Sequence, residues 1–285
     1  MAALNNKIDF VVLVSANQAN VNGDPLNGNR PRTDYSGYGE MSDVCIKRKI
    51  RNRMQDLGND IFVQSADRCK DGYKSLSDRA AGNIKVDKKD NLKYAEEACK
   101  KWLDVRAFGQ VFAFSSQSGL SVGVRGPVTV HHGRSVSPIE IRSYKIIKSV
   151  NGDTPKKSDK SNRSSDTMGD KYFVQFGLYE IKGSINVQLA EKTGFSEEDA
   201  DIIKECLRTL FLNDASSARP EGSMEVLRVY WWKHNCKDGQ YSSSKVHRSV
   251  HVELKPDVNI PSSADDYVIS VDELPGLEPE IIEGV

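Results

Sequence analysis

Five cations, Lys47, Arg48, Lys49, Arg51 and Arg53, crowd into the stretch from Ser42 to Gln55 with Asp43 as its one acid, inside a 285-residue chain of zero formal net charge. On a helix Lys47 and Arg51 stand at i and i+4, where like charges cost roughly a few tenths of a kcal/mol unless an anion lies against them. The chemistry such a ridge suggests is phosphate binding, which strengthens with each charge neutralised. Upstream, "NVNGDPLNGNRPR" ends in Arg30 and Arg32. Its glycines and backbone amides fit a phosphate cradle, and equally an ordinary turn-rich connection.

Other chemistries find less support. His131 and His132, if they continue a strand, point to opposite faces and cannot converge on one metal. His247 and His251 are spaced for a helical face, but the valines around them read as strand. The five cysteines are scattered without a C-x-x-C pair, so they read as reduced thiols, and no metal site is expected. The glycine loop lacks the P-loop and dinucleotide patterns, so no cofactor is expected. Asp24, alone in its loop, is the one candidate for a base in RNA cleavage, with turn formation as its plainer role.

The elements that must position these residues follow from periodicity. "KIDFVVLVSA" is a Val-rich run suited to a central strand buried on both faces. A long loop comes next, then a helix opened by Ser42 with Ile46, Ile50, Met54 and Leu57 as its apolar stripe. Residues 59–118 read as an insertion holding one helix before "VFAF". "GLSVGVRGPVTV" predicts a strand broken by glycine, "YFVQFGLYEIKGSINVQLA" a longer one, and the polar tract between them a long hairpin. A helix capped by Ser196 follows, with a stripe of Ala200, Ile203, Leu207, Leu210 and Phe211. "EVLRVYWWKHN" and "KVHRSVHVEL" predict two more strands. The plan is α+β, in the order β-α-β-β-α-β with large insertions.

Charge is segregated along the chain. Arg30 to Arg53 holds seven Lys/Arg against three acids, whereas Pro256 to Val285 holds eight acids and no Lys/Arg. The acidic end is expected to form a surface segment, packed or partly disordered, or to dock on a basic patch of another copy. No run approaches the roughly 18 apolar residues that span a bilayer, and the first residues lack a signal peptide's layout. No membrane partner is expected, and the expected location is the cytoplasm.

Six segments in this order, "NGDPLNGNRPRTD", "SDVCIKRKIRNRM", "DVRAFGQVFAF", "GPVTVHHGRSVSPIEI", "MGDKYFVQFGLYEIKGSINVQLAEKTGFS" and "LFLNDASSARPEGSMEV", resemble the backbone subunit of the CRISPR surveillance complex Cascade, type I-C branch, in the repeat-associated RNA-binding superfamily. The resemblance implies a palm of modified ferredoxin-like or RNA-recognition fold from residues 1–58, 119–135 and 174–256, a helical fingers insertion at 59–118, a thumb hairpin at 136–173 and an acidic C-terminal segment at 257–285. It implies a non-catalytic prokaryotic antiviral protein whose copies line up along a CRISPR guide RNA, with target DNA, other Cascade subunits and a recruited helicase-nuclease as further partners.

Carried over by position, Arg30, Arg32, Ser42, Lys47 and Arg51 would contact guide phosphates. Arg125, Gly133, Arg134 and Ser135 lie where the family brings backbone close to RNA, and Met168 is placed to wedge between bases. Asp104, Arg106, Phe108 and Gly109 read instead as salt bridge and core packing. Guide binding must ignore spacer sequence, so phosphates, 2′-hydroxyls and shape are the expected contacts. The competing reading from a different class is a metal-dependent endoribonuclease of the type III backbone kind using Asp24. A third is an assembly protein whose basic face binds an acidic protein.

Overall fold

The structure, a computed structural model, describes residues 3–87, 90–114, 120–147 and 168–285. Along the chain, β1 (Ile8–Ala19) leads into a small ribbon, β2 (Gly23–Asp24) and β3 (Arg30–Pro31), then β4 (Tyr38–Met41) and α1 (Asp43–Asp56). There follow α2 (Leu76–Asn83), α3 (Asn91–Lys101), α4 (Leu103–Phe108), β5 (Gly109–Phe112), β6 (Val122–Arg125), β7 (Val128–Val130), β8 (Gly133–Pro138) and β9 (Ile141–Ile147). After β10 (Met168–Ile185) come α5 (Val187–Thr193), α6 (Glu197–Arg208), β11 (Met224–Lys233), α7 (Ser243–Arg248), β12 (Val250–Leu254), β13 (Tyr267–Val271) and β14 (Glu280–Glu283).

The molecule is mixed α+β around a central antiparallel sheet in the order β14-β11-β1-β10-β8-β4, with β7 and β9 also paired to β10. The unbroken apolar run of β1 has the physical cause its composition implies. Phe10, Val12 and Val14 point into one core with Ile46, Ile50 and Met54 of α1 and Ile203 and Leu207 of α6. Val11 and Leu13 point into another with Tyr230, Trp232, Val246, Val250, Leu274 and Leu277. The sheet is therefore covered on both faces, and α7 with the chain after it forms the second cover.

The caps set the helix starts. Ser42 Oγ accepts from the Cys45 amide at 3.2 Å to open α1. Ser196 and Asp199 form a reciprocal capping box on α6. A separate core, Phe62, Tyr94, Trp102, Phe112 and Val122 among its members, lies within the region from Ile61 to Val124, with Phe62 and Trp102 rings 4.7 Å apart.

Several expectations are corrected. The strand expected to run through Ala190 ends at Ile185, because the Asn186 side chain accepts from the Leu189 amide at 2.8 Å and starts α5. "KVHRSVHVEL" is not one strand: Ser242 caps α7, so His247 is helical and His251 lies on β12. Before "VFAF", where one helix was expected, the described residues form two, α3 and α4, and α2 precedes them. "GLSVGVRGPVTV" divides at Gly126 and Pro127 into β6, paired with β5, and β7, paired with β10. Leu57 is 41% exposed and does not complete the α1 stripe. The acidic end is a segment packed on the surface, one of the forms expected for it. Its β13 pairs with β12, β14 extends the main sheet beside β11, and Leu274 and Leu277 are buried. The Lys/Ser/Asp tract of the expected hairpin lies outside the described residues, but its two legs, β9 and β10, pair from Val174↔Ile141 out to Met168↔Ile147.

Candidate nucleic-acid interface

The basic ridge on α1 is not left unpaired, which overturns the expectation drawn from its spacing. Lys47 Nζ sits 3.0 Å from Asp43, and Arg51 Nε donates to Asp104 at 2.8 Å while its guanidinium lies 5.0 Å from the Phe108 ring centre. Lys49 pairs with Asp214, and Arg53 with Asp56 at 2.7 Å. Arg48 donates to the Val63 carbonyl at 2.8 Å, and burial together with nearby Arg51 holds its pKa below the ordinary guanidinium value. Asp104, fully buried, also accepts from the amides of Phe62 and Val63 at 2.6 and 3.0 Å. It ties α1 to the chain after it. Asp104 and Arg106 thus form the salt bridges read from the sequence, Arg106 clasping Asp199 with two bonds of 2.8 Å.

The loop arginines differ from one another. Arg32 pairs with Asp24 at 3.3 Å. Arg30 is exposed, has no ion-pair partner among the described residues, and lies 5.4 Å from the Tyr172 ring centre on β10. Asp24 caps the turn after β2, accepting from the Leu26 amide at 3.2 Å, so turn formation and the Arg32 pair occupy its carboxylate. Ser42 is the α1 cap, with its own amide donating to Asn22 Oδ1 at 2.9 Å.

Around β8 the expected site divides again. Arg134 donates to Asp34 at 2.9 and 3.1 Å and lies 3.7 Å from the Tyr38 ring centre. The same Asp34 accepts from the Ser36 and Tyr38 amides, and the Arg134 bond holds its carboxyl below the usual range. Ser135 is buried, accepting from the Gly39 amide at 2.8 Å and donating to the Ser137 carbonyl at 2.6 Å. Gly133 is buried against Met41 and Ile181, and a side chain there would press on both. Arg125, at the end of β6, is exposed without an ion-pair partner among the described residues. Its neighbour Gly126 and Gly109 (φ +80°) pack backbone to backbone, so that a methyl on either would strike the Ala107 or Val124 carbonyl oxygen. Met168 is 61% exposed at the outer end of β10.

Sequence reasoning missed the acids. Asp104 and Asp214 reach α1 from 53 and 165 residues away, respectively. Asp34 carried a local signal, an Asp followed by Ser36 and Gly37 in a turn, but nothing local tied it to Arg134. Among the described residues no group of three His, Cys, Asp or Glu side chains is arranged to hold a metal, and no helix is long and apolar enough to cross a membrane.

The comparisons with known proteins bear on this arrangement. A curated relative, the CRISPR-associated protein Cas7 of Haloferax volcanii, is 27% identical over 216 residues, 69% of this chain and 61% of the relative. The chain thus spans about three fifths of that relative's length. Similar solved structures include a chain of a CRISPR RNA-guided surveillance complex in a pre-nicking state, 16% identical with a TM-score of 0.49, covering 79% of this chain and 78% of the other. Another, from a CRISPR RNA-guided surveillance complex, is 18% identical with a TM-score of 0.43, covering 79% and 68%. The profile of the family described as CRISPR-associated protein Cas7 matches residues 6–272, nearly the whole described fold, and the chain belongs to that family.

Proposed function

We propose that this protein is a non-catalytic, guide-RNA-binding backbone subunit of a type I Cascade complex, of the I-C branch, whose copies assemble along one RNA and support guide-directed binding of target DNA. The carrying observation is the family match across residues 6–272. The fold agrees with a palm of the β-α-β-β-α-β kind: β11, β1, β10 and β7/β8 lie side by side in the order of a ferredoxin-like sheet, with α1 and α6 on one face. In RNA-recognition domains the open sheet face stacks bases on aromatics. Here that face is closed, with Tyr230 and Trp232 buried beneath α7 and the chain after it. RNA is thereby directed to the loops and edges, where Arg30 and Arg125 are exposed and without an acidic partner among the described residues, and its bases stay available for pairing with a target.

In this reading the region with its own core after α1 serves as fingers and the β9/β10 ribbon as thumb. Of the α1 cations, Arg51 acts through structure and Lys47 by exchanging Asp43 for a phosphate. The ribonuclease reading gains nothing, since Asp24 already serves its turn and Arg32. The test is purification from cells expressing a CRISPR array and the other subunits. Guide-length RNA in a large particle is expected; a chain recovered free of RNA under those conditions would overturn the proposal. Incubation of the particle with guide-paired RNA and a divalent metal should leave the RNA intact; periodic cuts lost in Asp24→Ala would reinstate the nuclease.

A further inference from the structure

The loop that carries Arg30 holds two Asn-Gly pairs, Asn22-Gly23 and Asn27-Gly28; the chain's third, Asn151-Gly152, lies outside the described residues. We infer that Asn27 is a site of spontaneous covalent modification, at which the side-chain amide is lost and aspartate or isoaspartate takes its place. The chemistry is independent of the guide-RNA reading; its effect on binding rests on that reading.

The step needs only the backbone and water. The Gly28 amide nitrogen loses its proton to solvent base and attacks Cγ of Asn27, a five-membered imide closes, and the side-chain nitrogen leaves as ammonia. Water then opens the imide at either carbonyl. One opening gives aspartate; the other gives isoaspartate, whose main chain runs through Cβ and Cγ. The balance is one water consumed and one ammonia released. Closure needs an unhindered nitrogen on the following residue, and glycine, lacking Cβ, hinders it least.

The fold treats the two pairs differently. Asn22 Oδ1 accepts from the Ser42 amide at 2.9 Å, and its carbonyl accepts from the Arg32 amide at 3.0 Å. Gly23 lies in β2 opposite Pro31, so close to Asn29 that a methyl on it would overlap the Asn29 side chain. Closing an imide there means breaking that packing. Asn27 ends the single 3-10 turn that starts at Pro25, and it is exposed between Gly28 and Leu26, itself 97% exposed. The Asn27 side chain has no hydrogen-bond partner among the described residues. Gly28 adopts φ +58°, and the nearest atom to a side chain placed on it would be in the Tyr172 ring at 3.9 Å, so the turn has room to rearrange. Two of the bonds that hold the turn, from the Leu26 amide to Asp24 Oδ1 at 3.2 Å and from the Asn29 amide to the Asp24 carbonyl at 2.8 Å, anchor at Asp24 and spare the Asn27 side chain.

Either product sets a carboxylate three residues before Arg30. Isoaspartate also lengthens the main chain between Asp24 and Arg30, which shifts the guanidinium from its place 5.4 Å from the Tyr172 ring centre.

The test incubates the full chain in heavy-oxygen water at mildly alkaline and mildly acidic pH, then maps its peptides by mass spectrometry with electron-based fragmentation, which separates the two isomers. Heavy oxygen should enter residue 27 as both isomers, faster at the alkaline pH. Asn22 should react slower by about tenfold or more, the scale set by one hydrogen bond that must break first. In urea the two rates should converge, because the fold alone protects Asn22. Asn27→Gln, which would have to close a larger ring, should stay unmodified at residue 27 and melt at the wild-type temperature. Asn27 intact in the folded chain, or modified no faster than Asn22, would overturn the inference. Asn27→Asp should weaken RNA binding at low salt and lose that effect at high salt, where the added charge is screened. Binding unaltered at every salt would count against the RNA reading of this loop, a failure distinct from an unmodified Asn27.

Discussion

Lys47 and Arg51 stand one turn apart on α1, yet their acids differ in burial, and so should the outcome of replacing them. Asp43 is partly exposed, and pairs of that kind are worth at most about 1 kcal/mol, so Lys47→Ala should barely move a urea unfolding midpoint. Asp104 is fully buried, and removing Arg51 would leave that charge without its cation, a loss of about 3 kcal/mol. Stability equal in the two variants would show that Asp104 relies on its backbone donors alone. The proposed RNA contacts call for other residues. Arg30→Ala and Arg125→Ala should leave stability unchanged and each lower the slope of log affinity against log salt by about 0.7 for single-stranded RNA, whatever its sequence. A slope that stays put in either variant removes that arginine from the interface. The cluster on α1 was plain in the sequence as an excess of cations. Its neutralisation was not, because an ion pair across 53 residues leaves no local pattern.

At the scale of elements, what could be read was what has a long period. α1 and α6 each bury a stripe over about three turns, β1 is one unbroken apolar run and β11 a run rich in Val and Trp, and all four were legible. The helices α5 and α7 were not. Each is at most seven residues long, too short for periodicity, and each begins because a side chain, Asn186 or Ser242, caps it. The missed helix α7 has a consequence for pH. It carries His247 into the second core, where Nε2 lies 2.9 Å from the Gly183 carbonyl and 3.8 Å from Asp9, with the His131 ring 5.6 Å away and Lys182 near. Burial lowers the His247 pKa, the bond to Gly183 and the charge of Asp9 opposing that shift and His131 and Lys182 adding to it. A histidine whose folded pKa lies below its unfolded value of about 6.5 binds fewer protons in the native state, so stability is lost as pH falls through and below that value. Thermal midpoints should therefore drop between pH 7 and 5, and His247→Gln, able to keep the bond to Gly183, should flatten the drop. A profile identical in the variant would assign the acid limb to other groups. Asp71, held down to about 2 chiefly by its Arg79 hydrogen bond, should add a separate loss only below the ordinary carboxylate range of about 3.9.

For the whole molecule, the covering that closes the sheet leaves edges and projecting parts as the surfaces for the proposed assembly. With α1 and α6 on one face and α7, β12 and β13 on the other, the parts that project are the ribbon of β9 and β10 and the region with its own core after α1. Composition had marked both regions as interruptions of the β-α-β-β-α-β order, since neither continues a neighbouring period. It could not show that Arg106 clasps Asp199 at the cap of α6, or that Asp104 joins α1 to the chain after it. Those clamps tie the region after α1 to the helices that cover the central sheet. The ribbon differs, because beyond Val174 and Ile141 most of its side chains are exposed and none beyond Phe173 joins a core. Ile147 and Met168 face each other across its end, so the residues between them, 148–167, can be replaced by an Asn-Gly turn without disturbing the register. The shortened chain should melt within a few degrees of the original and bind a short single-stranded RNA with affinity within about threefold, since Arg30 and Arg125 remain. If the ribbon reaches the next copy, size-exclusion chromatography of the shortened chain co-expressed with a CRISPR array should show the large particle replaced by small RNA-bound species. An intact particle would mean that copies associate through the rest of the molecule alone, with no part taken by the end of the ribbon.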